Sequence, residues 1–317
     1  MAPTFGLIII GDEILSGKRA DKHLPKVIDL LAARGLQLGY AEYVGDDPDR
    51  ITATLARALM SARATGDVVF STGGIGATPD DHTRQCAGRA LGVALALHPE
   101  AKRLIEERMR ETAAEQGVAF ESDRPDNLHR LNMGVFPVGS HIIPNPYNKI
   151  PGFSCFVGPG DTSNLKHAVL AGLPELRNQL SRAAGAAASS EEGGDRHAVG
   201  KRGGLHFLPG FPVMAWPMVE WVLDHYYASF HRTATITEKS VIVMGAMEAA
   251  LTPLMVEIES LHPGVKVFSL PSVDHPEFGR HIELGVKGST DAVEDAYGAL
   301  KAGLLKFGAS IGPELVR

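Results

Sequence analysis

Residues Val68 to Thr83 constrain the fold more than any other stretch, because they read as a strand, a glycine turn and a helix start in direct succession. Val68-Val69-Phe70 is a short apolar run behind Asp67, of the kind that a sheet covered on both faces buries whole. Gly73, Gly74 and Gly76 follow, and without a Cβ they reach backbone conformations and close approaches that other residues cannot. A loop of this type can cradle an anion. Thr78 then reads as an N-cap, Pro79 as the first helical residue, and Asp80 and Asp81 as first-turn acids that complement the helix dipole. Capping alone accounts for many such Thr-Pro-Asp-Asp sequences. Beside a glycine loop the acids have a second reading. A phosphate held there would face two carboxylates, and a divalent cation would reconcile them, since Mg²⁺ takes one or two carboxylates together with phosphate oxygens and water.

The rest of the chain alternates around this unit. Phe5 to Ile10 is a continuous apolar run ended by Gly11, with Asp12 and Glu13 just beyond it. Leu24, Val27, Ile28 and Leu31 recur at helical spacing before Gly35, and Leu36 to Val44 predicts a second strand. Asp47-Pro48 opens a helix with an apolar stripe through Ile51, Leu55 and Leu59, and Pro99 opens another through Ile105 and Met109. This β-α-β order predicts an α/β fold, three-layer α/β/α with a mostly parallel sheet. Ligands of such sheets lie beyond the carboxyl ends of the strands, so Gly11-Asp12-Glu13 and the Thr72–Asp81 loop are expected to face one crevice.

From Ser122 the pattern becomes Pro, Asn and Gly with short apolar runs, which predicts short strands and binding loops. Within Asn145 to Gly152, Lys149 reads either as a phosphate-neutralising residue or as the solvated lysine of a plain turn. His206-Phe207-Leu208-Pro209-Gly210-Phe211-Pro212 reads as a strand entering a turn, followed by a helix through Trp216 and Val219. From Thr235 the order strand, helix, strand, strand, helix predicts a small C-terminal α+β domain of ferredoxin-like type. The expected domains are residues 1–230 and 231–317, the first carrying a flexible insertion over 157–203 with a short helix at Val169 to Leu180.

The formal charge of −6, from 37 acids against 31 Lys and Arg, favours a small-molecule phosphate ligand over nucleic acid. Only Cys86 and Cys155 are present, without metal-ligand spacing, which fits a reducing compartment. No apolar run approaches a membrane span and Met1 to Thr4 show no basic leader, so a cytoplasmic protein without a membrane partner is expected.

Taken together, the motifs resemble the molybdopterin-binding (MoaB/Mog) domain superfamily, and within it the N-terminal region of the competence/damage-inducible protein A family. Gly11-Asp12-Glu13-Ile14-Leu15-Ser16-Gly17 is similar to the first-strand motif, Asp46-Asp47 to the acidic pair after strand two, and Thr72 to Thr83 to the hallmark glycine loop. Gly139 through Gly152 resembles the segment that carries an asparagine and a Pro-Gly, and Leu208 to Pro212 the Leu-Pro-Gly-Val-Pro turn. The chain departs from the pattern at His23, where asparagine is usual, and at Met214-Ala215, where a Glu-Met pair is common. The resemblance implies a ligand site of Gly11, Glu13, Ser16, Thr72, Gly73, Gly74, Gly76, Thr78, Asn145, Lys149, Pro209 and Gly210. It implies Asp12 and Asp81 as catalytic residues, with Asp12, Asp80 and Asp81 holding Mg²⁺, Mn²⁺ or Co²⁺. The ligand class is a molybdopterin phosphate or an ADP-ribose-like dinucleotide, and a homo-oligomer is expected.

Three activities follow from that resemblance: a metal-dependent nucleotide pyrophosphatase, a molybdopterin adenylyltransferase-like enzyme, and a molybdopterin-binding protein without catalysis. Residues 183–203 carry almost no large apolar side chain, so ordering them would bury too little to offset its entropy. Replacing this stretch by a short Gly-Ser linker is expected to shift the melting temperature little, because loop closure changes by only roughly 0.6 kcal/mol per doubling of length. Loss of soluble expression would show instead that the segment packs against something.

Overall fold

The computed structural model describes residues 3–158, 203–231 and 236–316. The Val169–Leu180 helix and all but the edges of the expected insertion lie outside these residues. The chain divides into two compact units, Met1–His231 and Arg232–Arg317.

The first unit runs β1 (Phe5–Ile10), the short turn α1 (Asp12–Leu15), α2 (His23–Ala32), β2 (Leu38–Val44), α3 (Pro48–Thr65), β3 (Val68–Thr72) and α4 (Thr83–Leu91). It continues through β4 (Leu95–Leu97), α5 (Pro99–Glu115), α6 (Pro125–Leu131), β5 (Val135–Pro137), β6 (His141–Ile143), β7 (Gly152–Val157), β8 (Gly203–Leu208) and α7 (Pro212–Tyr226). Six strands form one mixed sheet in the order β2-β1-β3-β8-β7-β6. The first four are parallel, β7 runs antiparallel to β8, and β6 antiparallel to β7. Val157 of β7 lies opposite Gly203 of β8, so the expected insertion leaves from and returns to neighbouring strand ends.

Every residue of β1, β3 and β8 is buried, whereas edge strand β2 alternates. The reason is a layer of helices on each face. Ile8 and Ile10 pack with Leu55, Leu59 and Cys86 on one side, while Leu7 and Ile9 pack with Val27, Leu31 and Val222 on the other. Successive strand residues point to opposite faces, so a strand covered twice must be apolar throughout. Helix punctuation acts where the sequence places it. Asp47 accepts the Arg50 N–H at 2.8 Å ahead of Pro48, and Gly66 ends α3 at φ 78°. Asp21 accepts the N–H groups of His23 and Leu24 at the start of α2.

Two expectations are corrected. The segment after Ser122 holds helix α6 as well as short strands. The helix expected to begin at Pro79 begins instead at Thr83, four residues later, for a reason given with the site below.

The second unit comprises β9 (Ile236–Met244), α8 (Glu248–Leu261), β10 (Lys266–His275), β11 (Gly279–Ser289), α9 (Thr290–Phe307) and β12 (Ser310–Val316). Its sheet, in the order β10-β11-β9-β12, is antiparallel throughout and buries Val241, Val243, Leu284 and Val286 with Leu251, Ile258, Leu300 and Leu304. This is the split β-α-β connectivity of a ferredoxin-like unit. Strand β12 was not anticipated because Gly312 and Pro313 interrupt its pattern; they sit at a register shift in an edge strand, where proline costs no shared ladder bond. Among the described residues no helix is long and apolar enough to cross a membrane.

One polar chain crosses the core of the first unit. The fully buried His206 ring on β8 bridges Ser154 Oγ and Tyr227 OH, each at 2.8 Å. Burial pushes His206 from its ordinary 6.5 down to about 3. Between these values the unfolded chain holds a proton that the folded protein refuses, so stability falls as pH falls through that window, at most about 1.4 kcal/mol per pH unit. Urea denaturation of wild type and His206→Gln at pH 7, 6, 5 and 4 should show the glutamine variant losing a part of the acid sensitivity. Parallel stability curves would refute a neutral buried histidine.

Candidate functional site

The parallel register ends β1, β3 and β8 at one level, with Ile9 beside Thr72 and Thr72 beside Leu208. The three segments that leave these ends, from Gly11, Gly73 and Pro209, therefore start side by side. The Gly73 N–H donates to the Leu208 carbonyl at 3.0 Å, and Gly11 N–H to the Val44 carbonyl at 3.0 Å. Gly73 adopts φ 101°, and a Cβ there would lie 2.1 Å from the Ile10 carbonyl oxygen. Thr83 closes the loop from the helix side: its Oγ1 donates to the Gly73 carbonyl and its N–H to the Gly74 carbonyl, both at 3.0 Å.

Thr78 to Asp81 form a turn, not the first turn of a helix. The Asp81 carboxylate accepts both the N–H and the hydroxyl of Thr78, and the Asp81 N–H returns to the Thr78 carbonyl. A short acidic side chain that bonds backbone three residues away competes with helix hydrogen bonding, which delays α4 to Thr83. The stretch from Gly74 to Ala77 is left with N–H groups that donate to no acceptor among the described residues.

Two cavities flank the turn after β8. One of about 270 Å³ is lined by Gly74 to Thr78 and Asp81 on the glycine loop, and by Asn145, Asn148, Pro209 and Met214 across it. The other, of about 320 Å³, is lined by Ile9, Glu13, Arg19, Lys22, His23 and Thr72. Gly210 and Phe211 line both, so the two cavities are neighbouring lobes of one cleft. His23 donates from Nε2 to the Gly210 carbonyl at 3.1 Å; its Nδ1, and the Thr72 hydroxyl, are buried without a partner. Burial holds His23 below its ordinary pKa.

The remaining expected residues fall into distinct roles. Asn145 is 4% exposed and braces its own turn, donating to Asn148 Oδ1 and the Ile150 carbonyl while accepting the Tyr147 N–H. Lys149 lines neither cavity. Held at φ 64°, it directs its ammonium onto Glu107 and Glu111 of α5, whose two carboxylates outcompete the expected phosphate role and raise its pKa. The Ser16 N–H closes the α1 turn on the Asp12 carbonyl, and Ser16 lines neither cavity.

Asp12 and Asp46 clasp each other, the Asp12 N–H donating to Asp46 Oδ2 at 2.9 Å and the Asp46 N–H to Asp12 Oδ1 at 3.2 Å. Burial raises the Asp46 pKa, and the charges of Asp12, Glu13 and Asp80 raise it further. Asp80 is fully exposed and is held low by its bond to Thr78. Among the described residues no group of three or more His, Cys, Asp and Glu side chains could by itself hold a metal ion. The donor set fits a cation that draws the rest of its shell from phosphate and water, for which one or two carboxylates suffice.

Sequence reasoning missed Arg84 and His129, and with them Asn148 and Met133, which line the cavity of about 270 Å³. Arg84 and His129 hold the loop from outside the cavities, donating respectively to the Gly76 and meeting the Ala77 carbonyl. Arg84 carries no sequence signal, because a helix arginine is ordinarily a solvated one.

Gly73→Ala should cost at least about 1 kcal/mol in urea denaturation, from the strained φ and the clash with Ile10. Unchanged stability would mean the loop does not press against β1.

Residues 6–228 match the family model described as a probable molybdopterin binding domain. The chain is 34% identical over 154 residues to a CinA-like protein of Anaeromyxobacter dehalogenans, a match covering 49% of this chain and 34% of that protein. It is 28% identical over 309 residues to a protein of Pyrobaculum calidifontis, covering 96% and 94% of the two. Against the CinA-like relatives, the match spans about a third of their length. The crystal structure of the protein CinA with unknown function from Thermoplasma acidophilum aligns with 71% of this chain and 99% of its own, at 21% identity and a TM-score of 0.47.

Proposed function

This chain belongs to the molybdopterin-binding domain family, and from that premise we propose that it binds a phosphate-bearing heterocyclic ligand, a pterin phosphate or a dinucleotide, with the anion on the glycine loop. The carrying observation is the run of backbone N–H groups from Gly74 to Ala77, which have no acceptor among the described residues and belong to residues that line a cavity. Successive unsatisfied amides in a concave turn form an anion site, because each would otherwise lose its hydrogen bond on burial. The two-lobed cleft supports a two-part ligand: the anion at Gly74 to Thr78, and a further group in the lobe lined by Ile9, His23 and Thr72.

The carboxylates supply the second half of the reading. Burial and the charges of Asp12, Glu13 and Asp80 raise the cost of ionising Asp46 at the strand ends, an arrangement that favours a divalent cation shared with the ligand's phosphates. Asp12 and Asp80 would hold such a cation, with Asp81 tied to Thr78 at the edge of the anion lobe. When bound, Mg²⁺, Mn²⁺ or Co²⁺ would polarise a phosphoryl oxygen and offset its charge. The protein's own part is to orient the phosphates on fixed amides and to keep the heterocycle in the lobe lined by Ile9, His23 and Thr72. In that arrangement a pyrophosphate linkage is the bond presented to hydrolysis or nucleotidyl transfer.

A binding role without turnover has its own support. Asp81 is the one acid lining the anion lobe, and its Oδ2 already accepts two hydrogen bonds from Thr78.

Calorimetry with ADP-ribose and with inorganic pyrophosphate, in Mg²⁺ or Mn²⁺ and again in chelator, tests the reading. Binding at least about tenfold tighter with metal is expected, since uncompensated carboxylates would repel the anion. Equal affinity in both conditions removes the metal bridge, and no heat with any phosphate ligand removes the anion site.

A further inference from the structure

The glycine loop is backed by a buried cation whose hydrogen bonds among the described residues all go to uncharged groups. Arg84, the second residue of α4, is 4% exposed. Its Nη2 donates to the Gly76 carbonyl at 2.6 Å, its Nη1 donates to the Asn132 carbonyl, and its Nε has no partner. Neither carbonyl cancels the guanidinium charge. Asp81 acts on it through space, but that carboxylate is already engaged by Thr78.

We propose that Arg84 is a positioning residue for the bound anion, fixing the Gly76–Ala77 peptide so that its N–H meets the phosphate and supplying the positive charge behind it. This rests on the reading that the glycine loop holds phosphate. The C=O and N–H of a trans peptide point in opposite directions. With the Gly76 carbonyl turned onto Arg84, the Ala77 N–H points the other way, and Ala77 is one of the residues that line the anion lobe. Donation from a charged group also polarises the peptide it touches, which strengthens the N–H as a donor. His129 Nε2 meets the next carbonyl, that of Ala77, at 2.8 Å, so two consecutive peptides are braced, the first from α4 and the second from α6.

A buried arginine is tolerated when an opposite charge or full hydrogen bonding compensates it. Here, among the described residues, one nitrogen is orphaned and the one acid acting on the guanidinium is committed elsewhere, so an anion in the lobe supplies the missing countercharge.

The alternative is a mechanical latch that merely ties the loop to Asn132. Three variants separate the two: Arg84→Lys keeps the charge and weakens the two-carbonyl grip, Arg84→Gln keeps one amide donor without charge, and Arg84→Met removes both. The full chain of each is titrated with inorganic pyrophosphate and with ADP-ribose by calorimetry in Mg²⁺, and its melting temperature is taken without ligand. Pyrophosphate affinity should fall about tenfold in Gln and Met and stay within about threefold of wild type in Lys, whatever the order of melting temperatures. Gln binding as well as or better than Lys overturns the proposal and leaves the latch. A Met variant with wild-type affinity overturns it too. If Met fails to fold, the Lys and Gln comparison still decides. Wild type binding neither probe would sink the loop reading itself, a result distinct from any pattern among the variants.

Discussion

The structure of the first unit depends on one close approach, the Gly73 backbone pressed against the Ile10 carbonyl while its N–H reaches the Leu208 carbonyl. That contact stitches the ends of β1, β3 and β8 together at the one place where all three chains must turn away from the sheet. Only a residue without Cβ can stand there, and only at a left-handed φ. Everything that makes the cleft follows from it. The loop starts level with Gly11 and Pro209, the turn at Gly210 divides the space into two lobes, and the carboxylates after β1 and β2 come within electrostatic reach of those on the loop.

The electrostatics of the cleft are divided in space. On the side of β1 and β2, burial, and with it the neighbouring carboxylates, makes Asp46 resist ionisation. Behind the glycine loop lies an arginine without a dedicated countercharge. The first half would favour a cation and the second an anion. The proposed phosphate with a divalent metal would satisfy both at once. This complementarity, more than any single residue, underlies the proposal of a phosphate ligand rather than a neutral one. The Lys149 ammonium takes no part, because α5 presents two glutamates one helical turn apart and captures it.

Much of this was legible in the residues themselves. Doubly buried strands announce themselves as unbroken apolar runs, so Phe5–Ile10 and Val68–Phe70 could be placed without coordinates. The caps at Asp47 and Gly66 act through local backbone chemistry and are equally local in the sequence. Features that depend on partners distant in the chain were not legible. The start of α4 was misplaced because an Asp81 that closes a turn on Thr78 and an Asp81 that caps a helix read the same. β12 escaped notice because an edge strand tolerates the glycine and proline that a central strand would exclude.

The sequence by itself determined the layered α/β architecture, the family and the position of the glycine loop, since periodicity, turn residues and ordered motifs are properties of neighbouring positions. Tertiary structure alone decided which charged groups meet. Lys149 and Glu107 are separated by 42 residues, Asp12 and Asp46 by 34, and Arg84 and Asn132 by 48. Coulomb interactions and hydrogen bonds depend on distance in space, which the register of β1, β3 and β8 sets and which no spacing along the chain records.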